Sequence, residues 1–500
     1  MLDYRSPLER LCVKLSAMAK ANILPLISGL VSGLLAHMFV ITNKLMNADE
    51  VTAIYSKGAT IDSGRWALES LRFIFPDLSV PWLWGIMTIA FITVAACITL
   101  RIFNIKHRFL RALLPALFVS FPSLTGTMCF MFTSNSYGLA FLLAVLAVWV
   151  FVKLEKRALA WIISCCFLAF SMGIYQAYVA ISASFFVLLM IQKLMEKEDA
   201  FKVLRFGLCC FGMLLVSLGL YYGINVLAVE FFNGEILSYA FENEAGILRR
   251  VALAYNAFVR SIFSSYFGFV SAGPSRIAHI IALAVCAVLV ISELVKLKDI
   301  KKCCLSLLCI ALLPLSMNCI FLISSAWIIH SLVLYSFVAV YVFAAILLDR
   351  ADTVKLCWGR DAVVVCMLLI IICNTFFANK VYLKMHVQYE NAFSFYTSVM
   401  SGVYGTEGYD ETKPLAILGK TDFVPEYEYF DTGDLFGPST DLVNVYTNTY
   451  FIENYIGYSG PVYDGSYHSL SDDPRVVDMP CYPAEGSIAC IDDIMVVKFG

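Results

Sequence analysis

Asp49 and Glu50 are adjacent carboxylates in the run Asn47-Ala48-Asp49-Glu50, and shortly downstream Ser63-Gly64-Arg65-Trp66 sets a guanidinium beside an indole. Both groups follow a first apolar segment, 23–43, so they fall where a helix leaves a bilayer. A carboxylate there can take a proton from a hydroxyl, and a guanidinium can settle the charge on a departing phosphate. The plainer reading is that Asp49 and Glu50 cap the next helix and Arg65 binds lipid headgroups. Arg249 and Arg250 offer a second cationic point. They flank an amphipathic repeat, Ile247, Val251, Tyr255, Phe258 and Ile262, that suits a helix lying in the interface. Those two arginines hold either a lipid-linked phosphate or ordinary headgroups. Gln176 sits on a tight turn, where it either meets a sugar hydroxyl or closes the turn.

The elements that position these groups are membrane spans. Hydrophobic residues make up 60% of the 500 and charged residues 15%, with almost no polar surface before residue 380. At about 20 apolar residues per span, the chain reads as an α-helical polytopic membrane protein with eleven transmembrane helices over 1–380. Pro115, Pro122 and Pro314 fall inside spans and predict kinks. Six segments that face one way carry 22 of the 36 Lys and Arg residues, so the N-terminus reads as cytoplasmic and the C-terminus as extracytoplasmic. The outer loops are then 44–80 and 229–276, and the outer domain is 381–500.

That outer region reads as a small α/β or β-rich domain, with strands at 415–419 and 494–499 and many tyrosines between them, including Tyr446 and Tyr450. Tyrosines among carboxylates suit either sugar contact or interfacial packing. From 380 onward it holds 18 Asp and Glu against 6 Lys and Arg, a net of 6 − 18 = −12, which argues against nucleic acid as a partner. Its Ser-Asp-Asp-Pro at 471–474 reads as an acidic turn. Fifteen of the 17 cysteines lie in spans or on the cytoplasmic side. The other two, Cys481 and Cys490, form a disulfide or stay as thiols with equal plausibility. No cysteine pair has metal-ligand spacing, so no metal site and no cofactor is expected, with a divalent ion left open. Within the spans His37 is the clear titratable residue, and packing is its expected role. Ion-coupled transporters carry midplane charges. Their scarcity here favours chemistry at the outer surface over pumping.

The runs around Asp49 and Arg65, together with Ile174-Tyr175-Gln176, resemble the bacterial membrane glucosyltransferases of the Gtr type II group. So does the ending, Tyr482-Pro483-Ala484-Glu485-Gly486-Ser487-Ile488 and then Asp492-Asp493-Ile494-Met495-Val496-Val497-Lys498. The resemblance implies a GT-C architecture in a bacterial cytoplasmic (inner) membrane with an extracytoplasmic active site. It also implies an inverting transfer of hexose, glucose above all, from an undecaprenyl-phosphate donor to a surface polysaccharide such as O-antigen. A donor synthase and a flippase would be its partners. The family's position for the catalytic acid maps onto Asp49, with Glu50 beside it. Phosphate binding by Arg65 and sugar stacking by Trp66 are expectations from their chemistry. The competing readings are a lipid-linked saccharide flippase, which needs a polar central pathway, and a GT-C transferase of another sugar.

Overall fold

The computed structural model describes residue 20 and residues 22–52, 60–76, 78–234, 246–263, 273–323, 331–350, 357–420, 441–463 and 468–500. Its helices are α1 (Ile23–Thr42), the short α2 (Ala48–Thr52) and α3 (Trp66–Leu71), α4 (Pro81–Ile102), α5 (Arg108–Ser120), α6 (Pro122–Met128) and α7 (Met131–Lys153). Then follow α8 (Arg157–Ile174), α9 (Val179–Met195), α10 (Ala200–Phe231), α11 (Ile247–Phe263), α12 (Pro274–Leu297), α13 (Ile300–Met317), α14 (Val338–Arg350) and α15 (Cys357–Gly405). Ten described helices are long and apolar enough to cross a membrane, and the bent pair α5–α6 makes an eleventh. The eleven expected spans and these eleven coincide along the chain.

Of the three span prolines only Pro122 breaks a helix. Phe121 is extended at φ −63° and ψ 136°, as a residue before proline prefers, so α5 stops and α6 restarts with Pro122 in its first turn. The two pieces meet at 42°. Helices α5 and α13 run on through Pro115 and Pro314.

Helix α1 packs on α4 and α5, α4 on α7, and α7 on α8, while the most buried spans are 176–195 and 331–350. On α1, Gly33 lies so close to α4 that a Cβ would meet Ile89 at 2.5 Å, a backbone approach that only a small residue permits. His37 joins three elements. Its Nε2 faces the Val119 carbonyl at 2.7 Å and its Nδ1 the Tyr382 hydroxyl at 2.6 Å. A carbonyl only accepts, so Nε2 carries the proton and Nδ1 accepts from tyrosine. The expected packing role for His37 is what this arrangement provides. By contrast α12 turns Ile277, Ile280, Val288 and Ile291 outward. Such a surface suits hydrocarbon rather than water.

Helix α15 is 49 residues, about 73 Å at 1.5 Å per residue, and continues well past residue 380. Its C-terminal half buries Ala392, Tyr396, Val399, Met400 and Val403 against the C-terminal domain. Residue 380 therefore marks where the apolar run ends and not where the helix does. Beyond it a four-stranded sheet comprises β1 (Leu415–Leu418), β2 (Val462–Tyr463), β3 (Ile488–Ile491) and β4 (Ile494–Lys498) in the order β2-β1-β4-β3. Strand β1 runs parallel to β2 and β4, whereas β3 and β4 form a hairpin. Asp492 and Asp493 turn that hairpin with φ of 49° and 62°, as a two-residue primed turn demands. Alternate residues divide the sheet's faces. Leu415, Ile417, Met495 and Val497 face α15, while Ala416, Leu418 and Val496 face Leu470 and Val476.

Cys481 and Cys490 are free thiols, and the Lys413 ammonium donates to the Cys490 sulfur at 3.5 Å. In the Ser471–Pro474 turn, Asp473 accepts from the Arg475 amide at 2.8 Å and caps the short helix Pro474–Val477.

Candidate active site

Asn47 starts the site. Its side-chain oxygen accepts from the Glu50 amide at 3.0 Å, capping α2, and its amide nitrogen donates to the Cys129 carbonyl at the end of α6. The cap fixes how the two carboxylates divide. Consecutive helical residues diverge by about 100°, so Glu50 points inward and is fully buried while Asp49 stays half-exposed.

Glu50 accepts from the Ser79 hydroxyl and lies 4.0 Å from the Lys44 ammonium. Burial pushes its carboxyl up to about 7, against the pull of Lys44, Ser79 and the Met131 amide. Burial also holds Asp49 above the ordinary carboxylate range, opposed by a hydrogen bond from Tyr446 and the charge of Arg65. The Tyr446 hydroxyl donates to Asp49 Oδ1 at 3.4 Å, reaching it from the C-terminal domain. Asp49 and Arg65 are thus in electrostatic reach of one another.

Arg65 is held by the turn before it. Gly64 takes φ +73°, and its carbonyl accepts from the Tyr221 hydroxyl of α10 at 3.0 Å. Gln176, on the turn between α8 and α9, donates to the Ser63 carbonyl at 2.8 Å and to Tyr221 at 3.1 Å. Gln176 thereby clamps the loop that follows the first span. The Arg65 guanidinium lies 5.5 Å from the Tyr175 ring centre, a cation–π distance. Trp66 begins α3 and is 8% exposed. Its ring meets Phe170 edge-on at 5.7 Å and covers Gly173, where a Cβ would sit 2.6 Å from the indole. So placed, the indole anchors the loop to α8, and it also lines a cleft with Ile224, Leu227 and Ala228 of α10.

Beneath Arg65 an aromatic series leads into the membrane region. Tyr175 meets Tyr178 at 5.3 Å, Tyr178 meets Tyr335 at 6.4 Å, and Tyr335 stacks on Phe121 at 5.8 Å. Phe121 is also a wall of an apolar cavity of about 550 Å³ shared with Leu283, Leu313, Phe337 and Val340.

The structure therefore gathers Asp49, Glu50, Arg65, Trp66 and Gln176 in one region. Arg249 and Arg250 lie on α11, which packs on α13 and the turn Ile320–Ile323. Arg249 is exposed, while Arg250 donates to the Leu322 carbonyl at 2.9 Å. Ser79 and Tyr446 were not legible as site residues. Ser79 is an isolated serine just before α4, and Tyr446 is one of many tyrosines, 397 residues from its partner.

A comparison with known proteins bears on this arrangement. The family model described as Glucosyl transferase GtrII matches residues 38–348, which is 348 − 38 + 1 = 311 of the 500 residues. No curated protein and no solved structure matches the chain.

Proposed function

The chain belongs to the glucosyl transferase GtrII family, and we propose that it moves glucose from a polyprenyl-phosphate donor to a surface polysaccharide at the extracytoplasmic face of a bacterial inner membrane. The observation that carries this reading is a half-buried carboxylate, Asp49, within electrostatic reach of Arg65 in the loop that follows the first span. In the reaction an acceptor hydroxyl attacks the anomeric carbon and the new glycosidic bond forms. The bond from that carbon to the phosphate oxygen breaks, and its electron pair leaves with the phosphate. The hydroxyl proton goes to the Asp49 carboxylate. One displacement of this kind inverts the anomeric centre. Phosphate is already a stable anion, so the leaving group needs a cation rather than an acid. Arg65, fixed against Tyr175, supplies it. Glu50, fully buried beneath Asp49, supports the loop. The prenyl chain suits the apolar cavity bounded by Phe121, Leu283 and Phe337, and Arg249 is a further headgroup-level cation.

Purified protein given labelled undecaprenyl-phosphate glucose and surface polysaccharide is expected to label the polysaccharide. Donor movement across liposomes without transfer would replace this reading with a flippase. In the same assay Arg65→Ala is expected to raise the donor KM by about tenfold, the scale of one charge-assisted hydrogen bond. An unchanged donor KM would remove Arg65 from the phosphate site. The proposed orientation has its own check. A tag after Gly500 is expected to react with impermeant reagent in intact spheroplasts, and labelling only after lysis would invert the topology.

A further inference from the structure

The outer domain places an exposed aromatic ledge against Asp49. Tyr446 is 55% exposed and Tyr450, four residues on, is 43% exposed. The Tyr446 hydroxyl lies 3.2 Å from the Thr52 hydroxyl as well as 3.4 Å from the Asp49 carboxylate, so the ring edge points at α2. The two tyrosines are near enough for one to influence the other electrostatically.

The ledge is also firmly mounted. Asn444 accepts from the Tyr446 and Thr447 amides at 2.8 and 3.1 Å, and the Thr447 hydroxyl donates to the Leu442 carbonyl at 2.7 Å. The helix that follows, α16 (Asn448–Phe451), buries Phe451 fully against Tyr396 of α15, with ring centres 5.1 Å apart. Large aromatics held rigidly while open to solvent carry little folding benefit, and they suit a ligand with an apolar face and a polar rim.

We infer that Tyr446 and Tyr450 form the subsite for the acceptor glycan, with a pyranose ring stacked on Tyr446 so that one of its hydroxyls faces Asp49. The inference rests on the transferase reading above. Charge selects the acceptor over the donor. The region from 380 onward, with 6 − 18 = −12, repels a phosphate-bearing ligand and tolerates a neutral sugar. The donor phosphate accordingly stays with Arg65 on the membrane side, and the two substrates reach Asp49 from opposite directions.

The test is direct binding of surface polysaccharide, released from the host cells by mild acid, to the full-length protein in lipid nanodiscs. Tyr446→Ala and Tyr450→Ala are each expected to weaken binding by about tenfold, the scale of one aromatic stacking contact. Tyr446→Phe keeps the ring and is expected to bind within about twofold, while its acceptor KM-to-kcat balance shifts because the bond to Asp49 is gone. Binding by both alanine variants equal to that of the parent protein would overturn the subsite, as would no binding by the parent. Glucose transfer is measured in parallel. Binding without transfer would sink the transferase reading and leave the ledge standing, whereas transfer with alanine variants that bind normally would do the reverse.

Discussion

Asp49→Asn is expected to reduce glucosyl transfer by about 10²–10⁴-fold, the usual contribution of a positioned general base, while the protein still extracts and migrates as the parent does. The variant keeps the size of the side chain and an oxygen to accept from Tyr446 at the 3.4 Å position. It removes the negative charge and with it the ability to take the proton. The pH profile provides a second reading of the same assignment. The carboxylate is the active form, and burial holds the Asp49 carboxyl above its usual value of 3.8. Transfer by the parent therefore falls as pH drops through that raised value, and the residual activity of Asp49→Asn lacks this limb. Glu50→Gln provides the contrast. Glu50 is fully buried with its carboxyl pushed up to about 7, so a neutral amide suits its site. Transfer by that variant stays within about tenfold of the parent, the scale of one altered hydrogen bond. If Glu50→Gln were dead and Asp49→Asn active, the two roles would be exchanged.

Gly64→Ala is the second severe change, although it touches no substrate. At φ +73° a side chain costs about 1–2 kcal/mol in backbone strain. The added Cβ would also lie 2.7 Å from the Tyr221 hydroxyl and 2.9 Å from Gln176 Nε2. Both groups can swing away, but doing so breaks the bonds they make to the Gly64 and Ser63 carbonyls. The turn before Arg65 then loses its two clamps. A displacement of about 1 Å in a substrate-positioning group can cost about 10²-fold, and kcat/KM is expected to drop by about 10- to 100-fold with a raised donor KM. Parent-like kinetics in Gly64→Ala would show that the exact seat of Arg65 does not matter.

What was legible in the sequence follows from the physics of each part. Spans were readable because hydrocarbon demands an unbroken apolar run, and α4 or α7 can be found from composition alone. Helix α15 was readable only in its membrane half. Past residue 380 it becomes amphipathic, and the spacing of Ala392, Tyr396, Val399, Met400 and Val403 that buries it makes sense only once a sheet is there to cover it. Asp49 and Arg65 stood out because the loop that carries them follows directly on an apolar span with no charge in it. That Asp49 would face out and Glu50 in depends on the Asn47 cap, a three-dimensional matter. For Trp66 the chemistry of an indole suggests a sugar face, whereas its seat over Gly173, more than 100 residues away, has no signal in the local sequence. The Tyr446 contact had no signal in one dimension, since pairing across 397 residues leaves no local periodicity.

The core that the C-terminal domain shares with the Asp49 loop bears on how this protein comes into being. Met46 and Val51, on either side of Asp49, are buried in the same cluster as Met495, Val497 and Phe499. The loop that bears Asp49 emerges from the ribosome early, and β4 some 450 residues later, so their contact closes one of the longest loops the chain can make. Helix α2 also touches α16, next to the tyrosine that reaches Asp49, so the loop takes its final seat only after the chain beyond residue 440 has been made. A nascent chain can thus thread its spans into the bilayer while the Asp49 loop still waits for its support.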